Sequence, residues 1–378
     1  MFIDIYAIQN VPPSNINRDD TGSPKTAIYG GALRARVSSQ AWKRAMREMF
    51  ATLLPKGSLG VRTKLVVSLL AERIVDSRPD LEEKARDLAI AVLCAVGINV
   101  KKSTRKGLDN NSDETGYLVF IGNDELDALA AKAIGWADRG VDVKKVDKTF
   151  KKEVAAAFKG HQAVDVALFG RMLADAHDFK SDASAQVAHA ISVDRITQEY
   201  DYFTAIDDCA SGDNSGAVMI DTIDYNSSTL YRYATVNVDA LMGQLCDAEA
   251  TVRACRAFVE AFVRSMPTGK QNTFANRTLP GTVCVALRED QPINVVGAFE
   301  SPVYPSEGAS ISSQATVRLA NEMDKIEGTY AQPAQGKWYL STVVEDDLPQ
   351  LGEKLDFIEL LEKVSSRVNE HLERGGER

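Results

Sequence analysis

FIDIYAIQNVPPSNINRDDTGSPKTAIYGGALRARVSSQAWKRAMREMF fills residues 2–50 and reads as strand, polar loop and helix. Phe2 to Ile8 alternate β-branched and aromatic residues with smaller ones, and the Pro12-Pro13 pair predicts the end of that strand. Ser38 or Ser39 offers a cap for a helix running to about Phe50. Trp42, Ala45, Met46 and Met49 recur there at helical spacing. The two glycines at Gly30-Gly31 would let a backbone approach a ligand closely.

Outward from this unit, residues 58–180 read as mostly helical. Leu65, Val66 and Leu69 line one expected helix, and a second runs from Asp80 to Gly97. Others are expected over Asp124 to Asp138, Val143 to Lys159 and Ala163 to His177, with a short strand at 117–121 and a mobile polar loop at 101–116. The β pattern returns at 185–193, 229–238 and 282–287. Between the last two lies an amphipathic helix at 248–266, with Val252, Cys255, Val259, Phe262 and Met266 inward, and a final helix is expected over 347–374. Setting aside 58–180 leaves strand, helix, strand, strand, helix, strand. That is the β-α-β-β-α-β unit of ferredoxin-like folds, whose sheet RNA-recognition domains use. The expected fold class is α+β, an RRM-like sheet with a helical insertion after its first helix and a hairpin-like one at about 196–229.

Charge points first away from nucleic acid, because the 378 residues carry a formal net charge of −9. A strongly basic coat is therefore excluded, but a local basic groove is not. From Thr21 to Arg47 there is no Asp or Glu, and six cations stand there: Lys25, Arg34, Arg36, Lys43, Arg44 and Arg47. On the helix, Gln40, Lys43, Arg44 and Arg47 share one face while Trp42, Met46 and Met49 share the other. Ser38, Ser39 and Gln40 stand at its N-terminus, where free N–H groups favour a phosphate. The competing interpretation is a solvated helix face. A second patch, Lys144, Lys145, Lys148, Lys151 and Lys152, is mixed with acids and equally suits a salt-bridged exposed helix. The five cysteines form no CxxC pair and read as free thiols of a reducing compartment. Neither a cleavable leader nor an apolar run long enough for a bilayer is apparent, so the expected location is cytoplasmic.

Asn17 to Arg47 resembles the N-terminal signature of the CasC-type backbone subunits of the type I-E CRISPR Cascade complex, members of the RAMP superfamily. ALFGRML at 167–173, QVAHAIS at 186–192, DYFTAIDD at 201–208 and LYRYATVNV at 230–238 follow in the family's order. The resemblance covers most of the chain to about residue 275 and is loose after Pro280. It implies a hand: a palm at 1–57, 181–195 and 230–378, helical fingers at 58–180 and a thumb hairpin at 196–229. It also implies a CRISPR guide RNA (crRNA) as ligand, with copies of the subunit in a row along it. Target DNA would pair with the guide, and other Cascade subunits would be partners. Lys25, Ser38, Gln40, Lys43, Arg44, Arg47 and Arg18 would hold RNA phosphates. Met172 would wedge against a base, and Tyr202, Phe203 and Thr204 would sit at the thumb base. At Tyr202 this chain departs from the family's tryptophan. No cofactor is implied, and no catalysis.

Two other classes compete. Asp19-Asp20 stands beside the basic loop, where RNA-cleaving relatives keep an acidic residue, so an endoribonuclease is one alternative. Those two residues read more readily as a turn and capping pair. A protein-only assembly subunit, its basic helix meeting an acidic partner, is the other. His161, His177, His189 and His371 lack metal-ligand spacing. Thr268-Gly269-Lys270-Gln271 lacks the upstream glycine and following hydroxyl of a P-loop, and the S-x-x-K match at Ser103 lies in the expected loop.

Overall fold

A computed structural model describes residues 1–103, 113–146, 150, 152–155, 162–171, 180–205, 219–330 and 332–376. The fold is mixed α+β. Its strands, in chain order, are β1 (Phe2–Ser14), β2 (Thr26–Tyr29), β3 (Ala32–Val37), β4 (Gly60–Thr63), β5 (Val100–Lys102), β6 (Asp113–Thr115), β7 (Val119–Gly122), β8 (Ala185–Val187), β9 (Ala190–Ser192), β10 (Glu199–Ala205), β11 (Met219–Asn237), β12 (Thr282–Arg288), β13 (Gly336–Ser341) and β14 (Glu353–Lys354). Two compact units emerge: residues 1–49, 187–235 and 258–364, and residues 50–186, 236–257 and 365–378.

The first unit is built on the large sheet, in the order β14-β13-β12-β1-β11-β9-β3-β2. β1 pairs antiparallel with β12 from Phe2↔Arg288 to Ile8↔Thr282. Its strand does not stop at Pro12-Pro13, as the sequence suggested, but runs to Ser14. Pairing with β12 has ended by then, so that neighbour asks the prolines for no amide donor. Both faces of the sheet are covered. On one, Tyr6, Tyr231, Tyr233, Cys284 and Tyr339 pack against Phe299, Ala315, Leu319 and Met323. On the other, the buried Arg232 guanidinium lies 3.6 Å from the Trp42 ring centre and 4.4 Å from that of Phe262. It donates to Gln9 Oε1 at 2.6 Å, and burial without a carboxylate pushes its pKa down to about 9.

Several elements were not anticipated. The expected polar loop before the first helix contains the β2–β3 hairpin, closed by Gly30-Gly31 between Tyr29 and Ala32. Both glycines have positive φ, 57° and 72°, as a two-residue hairpin turn demands. A Cβ on Gly30 would fall 1.6 Å from the Glu300 carbonyl oxygen, whereas one on Gly31 would meet nothing within 4 Å. The pair therefore serves the turn and this packing. Gly31→Ala is expected to cost about 1 kcal/mol for its left-handed backbone. Gly30→Ala should cost about 1–3 kcal/mol more for the collision, which a comparison of the two urea midpoints would reveal.

The long helix Ile311–Tyr330 was also missed. Ser312, Thr316 and Glu327 are buried along with its apolar residues, which blurs the stripe that periodicity detects. The last helix begins at Phe357, not near 347. Gly352, at φ 96° where a Cβ would fall 2.0 Å from the Lys337 carbonyl oxygen, separates it from a short turn at Pro349–Leu351. The stretch 185–193 forms two short strands with Ala188 and His189 between them.

The second unit has its own core, in which helices Val66–Ser77, Glu82–Ala95 and Asn123–Asp138 bury Val67, Leu70, Leu88, Val92, Leu129 and Trp136. β4 pairs with β7, and β5 with β6, so the flanks of the expected loop at 101–116 are a ladder. Within the expected helix at Ala163 to His177, Val164–Phe169 is helical and Gly170 at φ 80° follows. Of the expected helix from Val143 to Lys159, the described residues show a turn at Val143–Lys145 and helix at 150 and 152–155. Among the described residues no helix is long and apolar enough to cross a membrane.

Candidate nucleic-acid interface

Everything in the candidate surface except Met172 belongs to the first unit. Its centre is the loop from Asn15 to Lys25. Lys25 N–H donates to the Asn17 carbonyl at 2.8 Å, and Asp19 N–H to the Ser23 carbonyl at 2.9 Å. Within that closed loop one Asp19 carboxylate oxygen, Oδ1, accepts from Thr21 N–H, Thr21 Oγ1 and Ser23 N–H at 2.9, 2.7 and 3.1 Å. These bonds, the Thr21 hydroxyl foremost, hold the Asp19 pKa below its usual range. Arg18 and Asp20 stand exposed on either side.

Two asparagines anchor the loop. Asn17 Oδ1 accepts the Ser38 backbone N–H at 2.8 Å, tying the loop to the start of helix Ser39–Leu53. Asn15 Nδ2 donates at 2.9 Å to both Gly22 O and Asp224 O. The Asp224 carboxylate accepts from Ser23 Oγ and, at 2.7 Å, from Gln198 Nε2. Loop, first helix and the base of the β10–β11 hairpin are thus fixed to one another before any ligand arrives. None of these tethers was read from the sequence, since each joins residues remote in the chain.

On the helix, Ser38 Oγ accepts Ala41 N–H at 3.3 Å, which leaves its own hydrogen to donate. Trp42, Ala45, Met46 and Phe50 are buried, while Met49 is half-buried. Gln40 and Arg44 are exposed, and Lys43 and Arg47 half-buried, on the opposite face. Arg44 Nε pairs with Glu48, just past the acid-free stretch, at 2.9 Å in an exposed bridge of small energetic weight. Burial lowers the Lys43 pKa from the ordinary lysine value.

Two of the six cations have structural work instead. Arg34 is fully buried and donates to four carbonyls, those of Ser192, Val193, Phe299 and Glu300, at 2.8–3.1 Å. Arg36 donates to Thr26 O at 3.3 Å and meets His189 Nδ1 at 3.2 Å. The remaining basic surface is Arg18, Lys25, Lys43, Arg44 and Arg47.

In the hairpin, Tyr202 stands opposite Thr222, Phe203 opposite Asp221 and Thr204 opposite Ile220. Tyr202 is 64% exposed and Phe203 half-buried. Tyr200, which the sequence reading passed over, is 65% exposed two residues away on the same face. Its signal was the alternation Tyr200-Asp201-Tyr202 itself. Met172 lies outside the described residues, as do Lys148, Lys151 and residues 206–218. Arg171, just before Met172, is buried against Glu125 at 2.6 Å. Lys145 makes an exposed bridge with Asp142 at 3.6 Å. Cys94, Cys246, Cys255 and Cys284 are free thiols.

Comparison with known proteins gives a consistent answer. The family described as CT1975-like protein matches residues 3–364. A chain solved in a "CRISPR RNA-guided surveillance complex, pre-nicking" is 36% identical over 97% of this chain and 100% of its own, with a TM-score of 0.84. Another, from a "CRISPR RNA-guided surveillance complex", is 32% identical over 97% and 100%, with a TM-score of 0.73. No curated protein matches.

Proposed function

The chain belongs to the CT1975-like protein family, and from that premise we propose that it is the CasC-type backbone subunit of a type I-E CRISPR surveillance complex, a non-catalytic holder of crRNA. The observation that carries this reading is the pre-tied surface of loop, helix and hairpin base, on whose loop and helix Arg18, Lys25, Lys43, Arg44 and Arg47 stand, in a chain so similar to members of such complexes. Copies of the subunit line up along the guide in the cytoplasm, beside the other Cascade subunits. They grip phosphates and leave base edges free to pair with target DNA. A holder that must accept any guide has to work this way, because phosphate contacts position a strand without reading it.

The order β12-β1-β11-β9 supports an RRM-like palm, with fingers over 58–180 and a thumb on β10 and β11. Because both faces of that sheet are covered, RNA is held at its edge, not stacked across an open sheet as in RNA-recognition domains. Lys25, Ser38, Gln40, Lys43, Arg44 and Arg47, with Arg18, hold phosphates. Tyr202, Phe203 and Thr204 meet the displaced nucleotide, and Met172 wedges against a base.

The grip should be pH-sensitive with a definite sign. Only the protonated ammonium binds phosphate, and burial makes Lys43 give up its proton at a lower pH than a solvated lysine. Affinity for a 2′-O-methylated strand is therefore expected to begin falling below the ordinary lysine pKa of about 10.4. Lys43→Arg should remove that early fall, since arginine stays charged. Fluorescence anisotropy across an alkaline pH series checks this, and identical profiles for both proteins would count against contact at Lys43. The non-catalytic part is tested by incubating the assembled complex with labelled complementary RNA and a divalent metal. The RNA should stay intact, and cutting abolished by Asp20→Ala would instead favour the endoribonuclease.

A further inference from the structure

A second acid-free stretch runs from Ala261 to Arg288, 28 residues that include PTGKQNTFANR at 267–277. Its loop touches two parts of the proposed RNA surface. Gly269 packs so tightly on the Asn15–Ile16 backbone that a Cβ there would lie 2.4 Å from Ile16 O, which brings the loop against the turn that carries Arg18. Ile16 to Gly22 and Gly269 together line one open groove. Farther along, the Phe274 ring centre is 5.8 Å from that of Tyr225, at the base of the β10–β11 hairpin.

The backbone is strained just where the polar side chains stand. Lys270 and Ala275 have φ of 50° and 48° and flank the single turn Gln271–Phe274. Left-handed backbone at residues other than glycine, asparagine or aspartate is uncommon and clusters at functional sites. The sequence offers glycine next door, at Gly269, yet a lysine occupies the left-handed position. Around it Asn272 and Thr273 are exposed and Lys270 and Gln271 half-buried, while Arg277 is exposed and donates to Arg264 O at 3.3 Å.

We infer that this loop is a further part of the strand-binding surface, with Lys270 donating to a phosphate of the single-stranded RNA and Gln271 and Asn272 to the same backbone. The inference rests on the proposed RNA-holding function. The loop packs on both the Arg18 turn and the hairpin base, so a strand lying along them gains a further cationic contact there.

Lys270→Asn tests it, because asparagine removes the charge and tolerates the left-handed backbone. Binding of a fluorescent single-stranded RNA to the full chain is measured against salt, with thermal melting as the control for folding. The expected result is an affinity about tenfold lower for every sequence tried, and a log–log salt slope shallower by about 0.7, with melting unchanged. Lys270→Arg should keep the wild-type slope. A Lys270→Asn protein with the wild-type slope would overturn the inference while leaving the RNA-holding function standing. Wild-type protein that binds no RNA would instead overturn that function.

Discussion

Replacing Lys43 and Arg47 together with alanine is expected to lower affinity for single-stranded RNA by about a hundredfold at low salt, the order of two lost bonds to charged groups. Both side chains lie on the outer face of helix Ser39–Leu53, with Gln40 and Arg44. The inner face is anchored by Trp42 and Met46, which the double substitution leaves in place. The log–log salt slope should become shallower by about 1.4, because each lost phosphate contact on a single strand removes roughly 0.7. The loss should be the same for unrelated sequences; one confined to a single sequence would mean that bases, not phosphates, are read there. Arg44→Ala should do less, since its guanidinium is already shared with Glu48.

Arg34→Ala should have the largest effect on stability, about 3–5 kcal/mol, although Arg34 belongs to the same basic stretch. Its guanidinium joins β3 to the carbonyls of Ser192 and Val193 at one nitrogen and of Phe299 and Glu300 at the other. Truncation would leave these carbonyls short of a donor around a buried void. Arg34→Lys should recover little, because a single ammonium cannot reproduce a planar fork between two pairs of acceptors. Chemical denaturation gives the stability loss. The RNA salt slope of the variant, measured where it is still folded, should stay at the wild-type value.

These two arginine and lysine sites show how much could be read in the sequence. Absence of acids between Thr21 and Arg47 located the basic segment, and helical spacing separated its two faces correctly. Charge counting could not tell Arg34 from Arg47, because only tertiary packing surrounds the first with carbonyls. The strands at 2–8, 229–238 and 282–287 were legible from their period-two patterns. Helix Ile311–Tyr330 was not, since buried Ser312, Thr316 and Glu327 interrupt its apolar stripe. Turn chemistry at Gly30-Gly31 was present but read as room for a ligand, although two consecutive glycines between short alternating runs are also a hairpin signal. The tethers that assemble the site, Asn17 to Ser38 and Asn15 to Asp224, link positions up to 209 residues apart, and no local pattern encodes them.

The most direct test of the account is to purify the chain with its partner subunits and extract nucleic acid from the assembly. RNA-holding predicts an elevated 260/280 nm absorbance ratio and a short RNA of defined length, retained at low salt and lost when Lys43 and Arg47 are both alanine. A protein-like ratio with no extractable RNA would contradict it and leave an acidic protein as the partner of the basic helix.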